Sequence, residues 1–311
     1  MVRELCRIAK RFTCDYIVVA GDFFHFPTTT HEERAIVADL FKNTPVPILS
    51  VTGNHDKWGK DIDQTSLNWL TGLAPKFGHR VWNQPAVEEI GGRWWVALPA
   101  GGWNTVEMYA ITHALLEEVP KGAPVIAIAH EYIEGSMADT GFVGKGTKYP
   151  KLPVVRRIQY WALGDVHMVQ KIASNAWYCG APYQTRFKET LPKGVLLYDT
   201  EKPKPKFVEI TAPRPLLELQ EVPEEWPDAY IKLKVRPEQI PYPLPQSVVQ
   251  VSSISVPQSA EEIRDMRTKV SSKVYLEGLP AFLRDKCGFD DKMTKRGMRF
   301  ATELLKTIQP E

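Results

Sequence analysis

The chain has 311 residues, 43 % hydrophobic and 24 % charged, with a formal net charge of +2 at pH 7. That is an ordinary composition for a soluble globular protein built as one large domain with a smaller appendage. A charge so near neutral does not by itself announce a nucleic-acid partner, so any polyanion must be held by local patches or metal ions.

Four scattered cysteines, Cys6, Cys14, Cys179 and Cys287, form no CxxC pair. They read as reduced thiols and not as a disulfide framework or zinc ribbon, which places the chain in the cytoplasm. The opening MVRELCRIAKRF is charged and amphipathic, unlike a signal peptide. No apolar run approaches the roughly 20 residues of a membrane helix.

In chain order, Val2, Leu5, Ile8, Ala9 and Phe12 recur at helical spacing and feed the strand YIVVA. THEERAIVADLFKN reads as a helix with Thr30 as N-cap and Glu33 closing a capping box, followed by the buried strand of PVPILSVT. AVEEI and RWWVALPA make a hairpin through Gly91 and Gly92, TVEMYAITHALLEEV a helix, APVIAIA and IQYWAL two further strands. Helix and strand in alternation predict a layered α/β core.

GVLLYD and KFVEIT then flank a proline and lysine turn, and LLELQEV, AYIKLKV and SVVQVSSISV alternate like half-exposed strands. The expected organisation is a domain over 1–212, a small β-rich capping domain over 213–258 and a helical segment over 259–311. There is no internal repeat.

Four strands end in metal-ligand residue types. YIVVA runs into Gly21-Asp22, with His25 three residues on; ILSVT into Gly53-Asn54-His55-Asp56; VIAIA into His130; YWAL into Gly164-Asp165-Val166-His167. The carboxyl ends of strands in an open α/β sheet share one edge, where ligands bind. Carboxylate, amide oxygen and imidazole gathered there suit divalent ions such as Mn²⁺, Fe²⁺ or Zn²⁺. Each ending alone has a plainer reading as a turn, a cap or a bonded core histidine. Their recurrence at four strands is what argues for a metal site. His31, His79 and His113 lack this context and read as surface residues.

The order GD, GNHD, H and GxxH resembles the calcineurin-like metallophosphoesterases. VVAGDFFHFPTTT, VTGNHDKW and YWALGDVHMVQKI, followed by WYCGAPYQTRF, resemble their SbcD-type nuclease branch over about residues 1–200. The resemblance implies a four-layer α/β/β/α sandwich and two divalent metal ions, Mn²⁺ first among Mg²⁺, Fe²⁺ and Zn²⁺. It implies that Asp22 bridges them, that Asn54 and His130 complete one and that His167 belongs to the other. His55 then donates to the leaving oxygen and His25 positions the phosphate.

Two departures stand out. Asp165 occupies a position where the family carries histidine; it either ligates, favouring Mn²⁺ or Mg²⁺, or orients His167. An Asp-x-His at the end of an initial strand is also expected before Gly21, and the domain over 1–212 is read as lacking that strand. The expectation is one well-filled ion and a weaker neighbour, with little nuclease activity unless an upstream Asp-x-His is joined.

Three functions compete at this stage. The first is a DNA exonuclease and endonuclease acting in DNA repair, recombination or phage DNA processing with an SbcC-like coiled-coil ATPase, as a homodimer. The second is a phosphatase or small phosphodiesterase, and the third a non-catalytic scaffold. Leu276, Leu279, Phe282 and Leu283 are candidates for docking on the ATPase or for packing on their own domain. Lys286, Lys292, Lys295, Arg296 and Arg299 are candidates for DNA contact or for a solvated basic face.

Overall fold

The computed structural model describes residues 2–253, apart from 59–63, 146–148, 154–155, 188, 190, 203, 213 and 242, together with 280, 291, 294, 295 and 298. By mutual contacts the chain separates into two units, one of residues 1–218 with 225–232 and 245–249, the other of 219–224, 233–244 and 250–311. The first holds every candidate metal and catalytic residue.

That unit opens with helix α1 (Val2–Arg11), strand β1 (Ile17–Ala20), helix α2 (His31–Asn43) and strand β2 (Ile48–Val51). The capping box at α2 is present: Thr30 accepts from Glu33 N, and the Glu33 carboxylate accepts from Thr30 N. A short helix α3 (Asn68–Thr71) and strand β3 (Arg80–Trp82) follow. The strands β1, β2 and β3 form a parallel three-stranded sheet in that order.

A second sheet has six strands. It contains β4 (Ala86–Ile90), β5 (Arg93–Leu98), β6 (Val125–His130), β7 (Ile158–Gly164), β8 (Gln170–Ala173) and β9 (Ala176–Tyr178), ordered β4-β5-β6-β7-β9-β8. β4 and β5 form the expected hairpin, with Gly91 and Gly92 both at positive φ in its two-residue turn. Helix α4 (Thr105–Glu117) is N-capped by Asn104. β10 (Gly194–Leu197) and β11 (Lys206–Glu209) pair with each other. β12 (Leu216–Leu219), β13 (Tyr230–Val235) and β14 (Val248–Ser253) form a three-stranded sheet.

Strand alternation sorts the core into three layers. Ile17, Val19 and Ile48 face outward onto Val37, Leu40 and Phe41 of α2. Val18, Ala20, Leu49 and Val51 face inward onto Trp95, Ile126, Ile128 and Tyr160 of the second sheet. Val125, Ala127, Trp161 and Leu163 face the other way, onto Met108 and Leu116 of α4. The result is the α/β/β/α sandwich expected from the sequence. The same alternation continues to His130, which follows Ile126 and Ile128 onto the inner face and therefore points at the first sheet.

Four short elements, α3, β3, β8 and β9, were not foreseen. His79 corrects the sequence reading: it is 4 % exposed and buried, not a surface residue, whereas His31 and His113 are exposed. Lys295 is also exposed; the other proposed docking and DNA-contact residues near the C-terminus lie outside the described residues, as does Cys287. No helix among the described residues is long and apolar enough to cross a membrane.

Candidate metal centre

His130 is the hub. Its ring is 2 % exposed, and Nδ1 donates to Ala20 O at 2.5 Å, so the proton is placed on Nδ1 and Nε2 is left facing oxygen. Asn54 Oδ1 lies 2.8 Å from Nε2, Asp22 Oδ2 at 3.3 Å and Asp165 Oδ1 at 3.8 Å. A buried nitrogen lone pair surrounded by an amide oxygen and two carboxylates requires a cation among them. Burial pushes the imidazole down, but the charges of Asp22 and Asp165 outweigh it and raise His130 to about 9.

The loops are shaped around this ring. Asp22 and Asp165 both sit at positive φ, +56° and +91°, a backbone cost of order 1–3 kcal/mol each that their surroundings must offset. Gly21 also has positive φ, +92°. A Cβ on Gly21 would collide with the His130 imidazole, and one on Gly164 would collide with Ala20 O and approach the same ring. The glycines of the Gly-Asp pairs are therefore the clearance for His130 as well as turn residues.

Asp22 Oδ1 accepts from His55 N at 3.0 Å. Burial pushes Asp22 up, while His130 and the His55 amide pull it down, and the net direction is down. Asp165 goes the other way, raised by burial and by the charge of Asp22. Asp56 is fully buried and accepts from Asp22 N at 3.0 Å, Phe24 N at 3.1 Å and Gly53 N at 2.9 Å. It ties the two ligand-bearing loops together, a role the sequence reading did not give it. His25 and His55 stack with centroids 5.2 Å apart and planes at 16°, and His55 Nδ1 lies 2.8 Å from His25 O.

His167 belongs to a different group from His130 and the three residues around its Nε2. The His167 Nδ1 meets Glu189 Oε1 at 2.9 Å, leaving Nε2 as the nitrogen available to a ligand. Glu189 is 2 % exposed and also accepts from Thr185 N and Thr185 Oγ1, both at 2.8 Å. Burial would raise its pKa, but these donors and Lys193 hold it far below the usual carboxylate range. Asp139, His167 and Glu189 have the composition of a second metal cluster. However, Lys193 Nζ lies 3.2 Å from Glu189 Oε2 and 3.6 Å from Asp139 Oδ2, so an ammonium already neutralises those carboxylates. Glu189 is thus placed as the carboxylate that fixes the His167 ring, the usual support of a metal-bound histidine. It lies on an irregular segment, and no spacing in the sequence signalled it.

The donor set around His130 fits a divalent cation, with hard oxygens and one imidazole nitrogen and no thiolate among them. The chain matches the calcineurin-like phosphoesterases over residues 2–169, more than half its length. It belongs to that family. Membership supports metal-dependent hydrolysis of phosphoester bonds as the class of chemistry for this calcineurin-like phosphoesterase. It is 35 % identical over 75 residues to the DNA double-strand break repair protein Mre11 of Archaeoglobus fulgidus, a stretch covering 23 % of this chain and 17 % of that one. The alignment therefore spans much less than two thirds of the relative's length.

Divalent ions bound here supply positive charge against the phosphoryl oxygens and acidify the attacking water. The protein's own contribution is placement. Asp56 fixes the relative position of the Asp22 and Asn54 loops, Ala20 O sets the tautomer of His130, and Asp22 Oδ1 anchors the backbone beside His55.

Proposed function

We propose that this phosphoesterase is a DNA nuclease that hydrolyses phosphodiester bonds with two divalent ions, Mn²⁺ foremost. Asp22, Asn54, His130 and Asp165 would hold one ion, and His167 would serve the other with Asp22 shared between them. His55 protonates the leaving oxygen or stabilises the transition-state charge, and His25 positions the phosphate. The nuclease works on DNA ends with an SbcC-like coiled-coil ATPase. The observation that carries the metal reading is the meeting of Asn54, Asp22 and Asp165 oxygens at the Nε2 of one buried histidine. The choice of DNA over small esters is supported by the 75-residue similarity to an Mre11 protein.

The test compares Mn²⁺-dependent hydrolysis of a labelled linear DNA duplex with that of an aryl phosphate monoester. Preferential cleavage of DNA supports the nuclease. Turnover of the monoester alone makes the protein a phosphatase, and absence of metal binding makes it a scaffold.

A further inference from the structure

Beside the metal centre lies a hollow of about 220 Å³, in which Asn54, His130 and Asp165 share the wall with Trp103, Tyr132 and Tyr149. We propose that this hollow is a base-stacking subsite, taking the nucleobase of the nucleotide whose phosphate lies at the His130 cluster. The inference rests on the phosphodiesterase reading above and adds what the site does with the rest of the nucleotide.

The rings are held by their polar ends, which leaves their faces apolar. The Tyr132 hydroxyl donates to Phe142 O at 3.1 Å and to Ser136 O at 3.3 Å. Gly144 makes room for this ring, since a Cβ there would come within 2.6 Å of Tyr132 Cε1. Tyr132 and Tyr149 meet with centroids 5.2 Å apart at 50°, forming an angled corner. Trp103 Nε1 donates to Pro99 O at 3.3 Å.

Glu131, the residue after His130, accepts from Gly101 N at 2.7 Å and Gly102 N at 2.8 Å. It thereby binds the loop that carries Trp103 to the strand end that carries His130. Trp103 and His130 are thus placed relative to one another by a single buried carboxylate.

The choice of occupant follows from size and charge. The volume falls below the roughly 300–1,000 Å³ of pockets for drug-sized ligands, so it suits one planar ring system. Glu131 and Asp165 in the lining disfavour a second phosphate, whereas a neutral base offers a π face to every ring, and such stacking tolerates any sequence. A base can enter only when it is out of the duplex stack, so the subsite favours unpaired nucleotides and frayed ends over duplex interior.

The test measures binding of two probes to the Mn²⁺-loaded protein by calorimetry: deoxyadenosine 5′-monophosphate and 2-deoxyribose 5-phosphate, which lacks the base. The nucleotide should bind about 5- to 150-fold tighter, the range of one base–aromatic stack. Tyr132→Leu should bring the ratio close to one with little change for the sugar phosphate. Tyr132→Phe should keep the ratio, because the lost hydroxyl bonds Ser136 O and Phe142 O, and neither residue lines the hollow. A thermal melt checks folding, and Trp103→Leu serves the same purpose should Tyr132→Leu fail to fold. Equal affinity for the two probes in the wild type, or a ratio unmoved by the leucine substitutions, overturns the subsite and leaves the phosphodiesterase reading intact. Failure of both probes to bind overturns the subsite as well, and hydrolysis of DNA then decides the fate of the broader reading.

Discussion

His130 and Ala20 are joined across the two sheets: the imidazole Nδ1 donates to the Ala20 carbonyl at 2.5 Å, linking the end of β6 to the end of β1. This bond makes the metal centre a property of the sandwich's packing and not of one loop. Sheet spacing, side-chain alternation and the absence of a Cβ at Gly164 all have to agree for it to form.

Gly164→Ala tests that dependence. Replacing a glycine by alanine in an unhindered strand is neutral or mildly stabilising. Here the new methyl would meet Ala20 O and the His130 ring, so the variant should lose about 1–3 kcal/mol. Its Mn²⁺ affinity should fall in parallel, measured by urea denaturation and calorimetric titration. Unchanged values in both would show that the close approach is not real.

His55→Ala separates chemistry from metal binding. His55 contributes its backbone N–H to Asp22, which alanine retains, while its ring stacks on His25. Turnover should fall by roughly 10²–10⁴-fold, the usual range for a general acid or charge-stabilising donor, with metal content intact. Loss of metal instead would make His55 a ligand.

Glu189→Ala should act on stability and on the His167 ring together. The substitution leaves Lys193, 6 % exposed, without its nearer carboxylate, and breaking a buried pair in this way costs roughly 3–5 kcal/mol. Glu189→Gln retains an acceptor for His167 Nδ1 and should restore ring placement, followed as the His167 imidazole chemical shifts, more fully than it restores stability. Identical behaviour of the two variants would contradict the division of roles.

His79 predicts a pH dependence of folding. Its Nδ1 accepts from Ile48 N at 2.9 Å and its Nε2 donates to Phe41 O at 2.7 Å, an arrangement that requires the neutral ring. Burial lowers its pKa, with the Phe41 bond opposing. Below about pH 6.5 the unfolded imidazole binds a proton that the folded one refuses until lower pH. The contribution is therefore fully present above that value and is lost as pH falls toward the folded pKa. Denaturation at pH 7.5 and 5.5 should show a smaller acid loss in His79→Gln than in wild type; equal losses would contradict the assignment.

The strands that carry the candidate ligands were legible because each is a mainly apolar run stopped by a Gly-Asp, a GNHD or a histidine. Their convergence depends on two sheets facing each other, since Asp22 and Asn54 follow β1 and β2 of one while His130 and Asp165 lie at the ends of β6 and β7 of the other. Three-residue strands such as β3 and β9 are too short for any periodicity to register. His79 was misjudged because two backbone bonds to distant residues, Ile48 and Phe41, satisfy it in the interior, and such partners leave no local mark. For the same reason Glu189, Glu131 and Asp56 were not foreseen as organisers: each has at least one donor far away in the chain, His167 for Glu189, Gly101 for Glu131 and Asp22 for Asp56. The grouping of His167 with Glu189 and Lys193, apart from His130 Nε2, likewise depends on a loop without pattern.

The central claim is that the oxygens of Asp22, Asn54 and Asp165 would hold, with His130, a divalent ion that the proposed hydrolysis of DNA requires. Single-turnover cleavage of an end-labelled linear duplex, with Mn²⁺ and with chelator, in wild type and His130→Ala, tests it most directly. The account predicts slow cleavage by the wild type that requires Mn²⁺, in keeping with a second ion served by few residues, and at least a 100-fold lower rate in the variant, a loss of the size expected when a catalytic group is removed. Cleavage that persists in chelator, or that is equal in the two proteins, would contradict it.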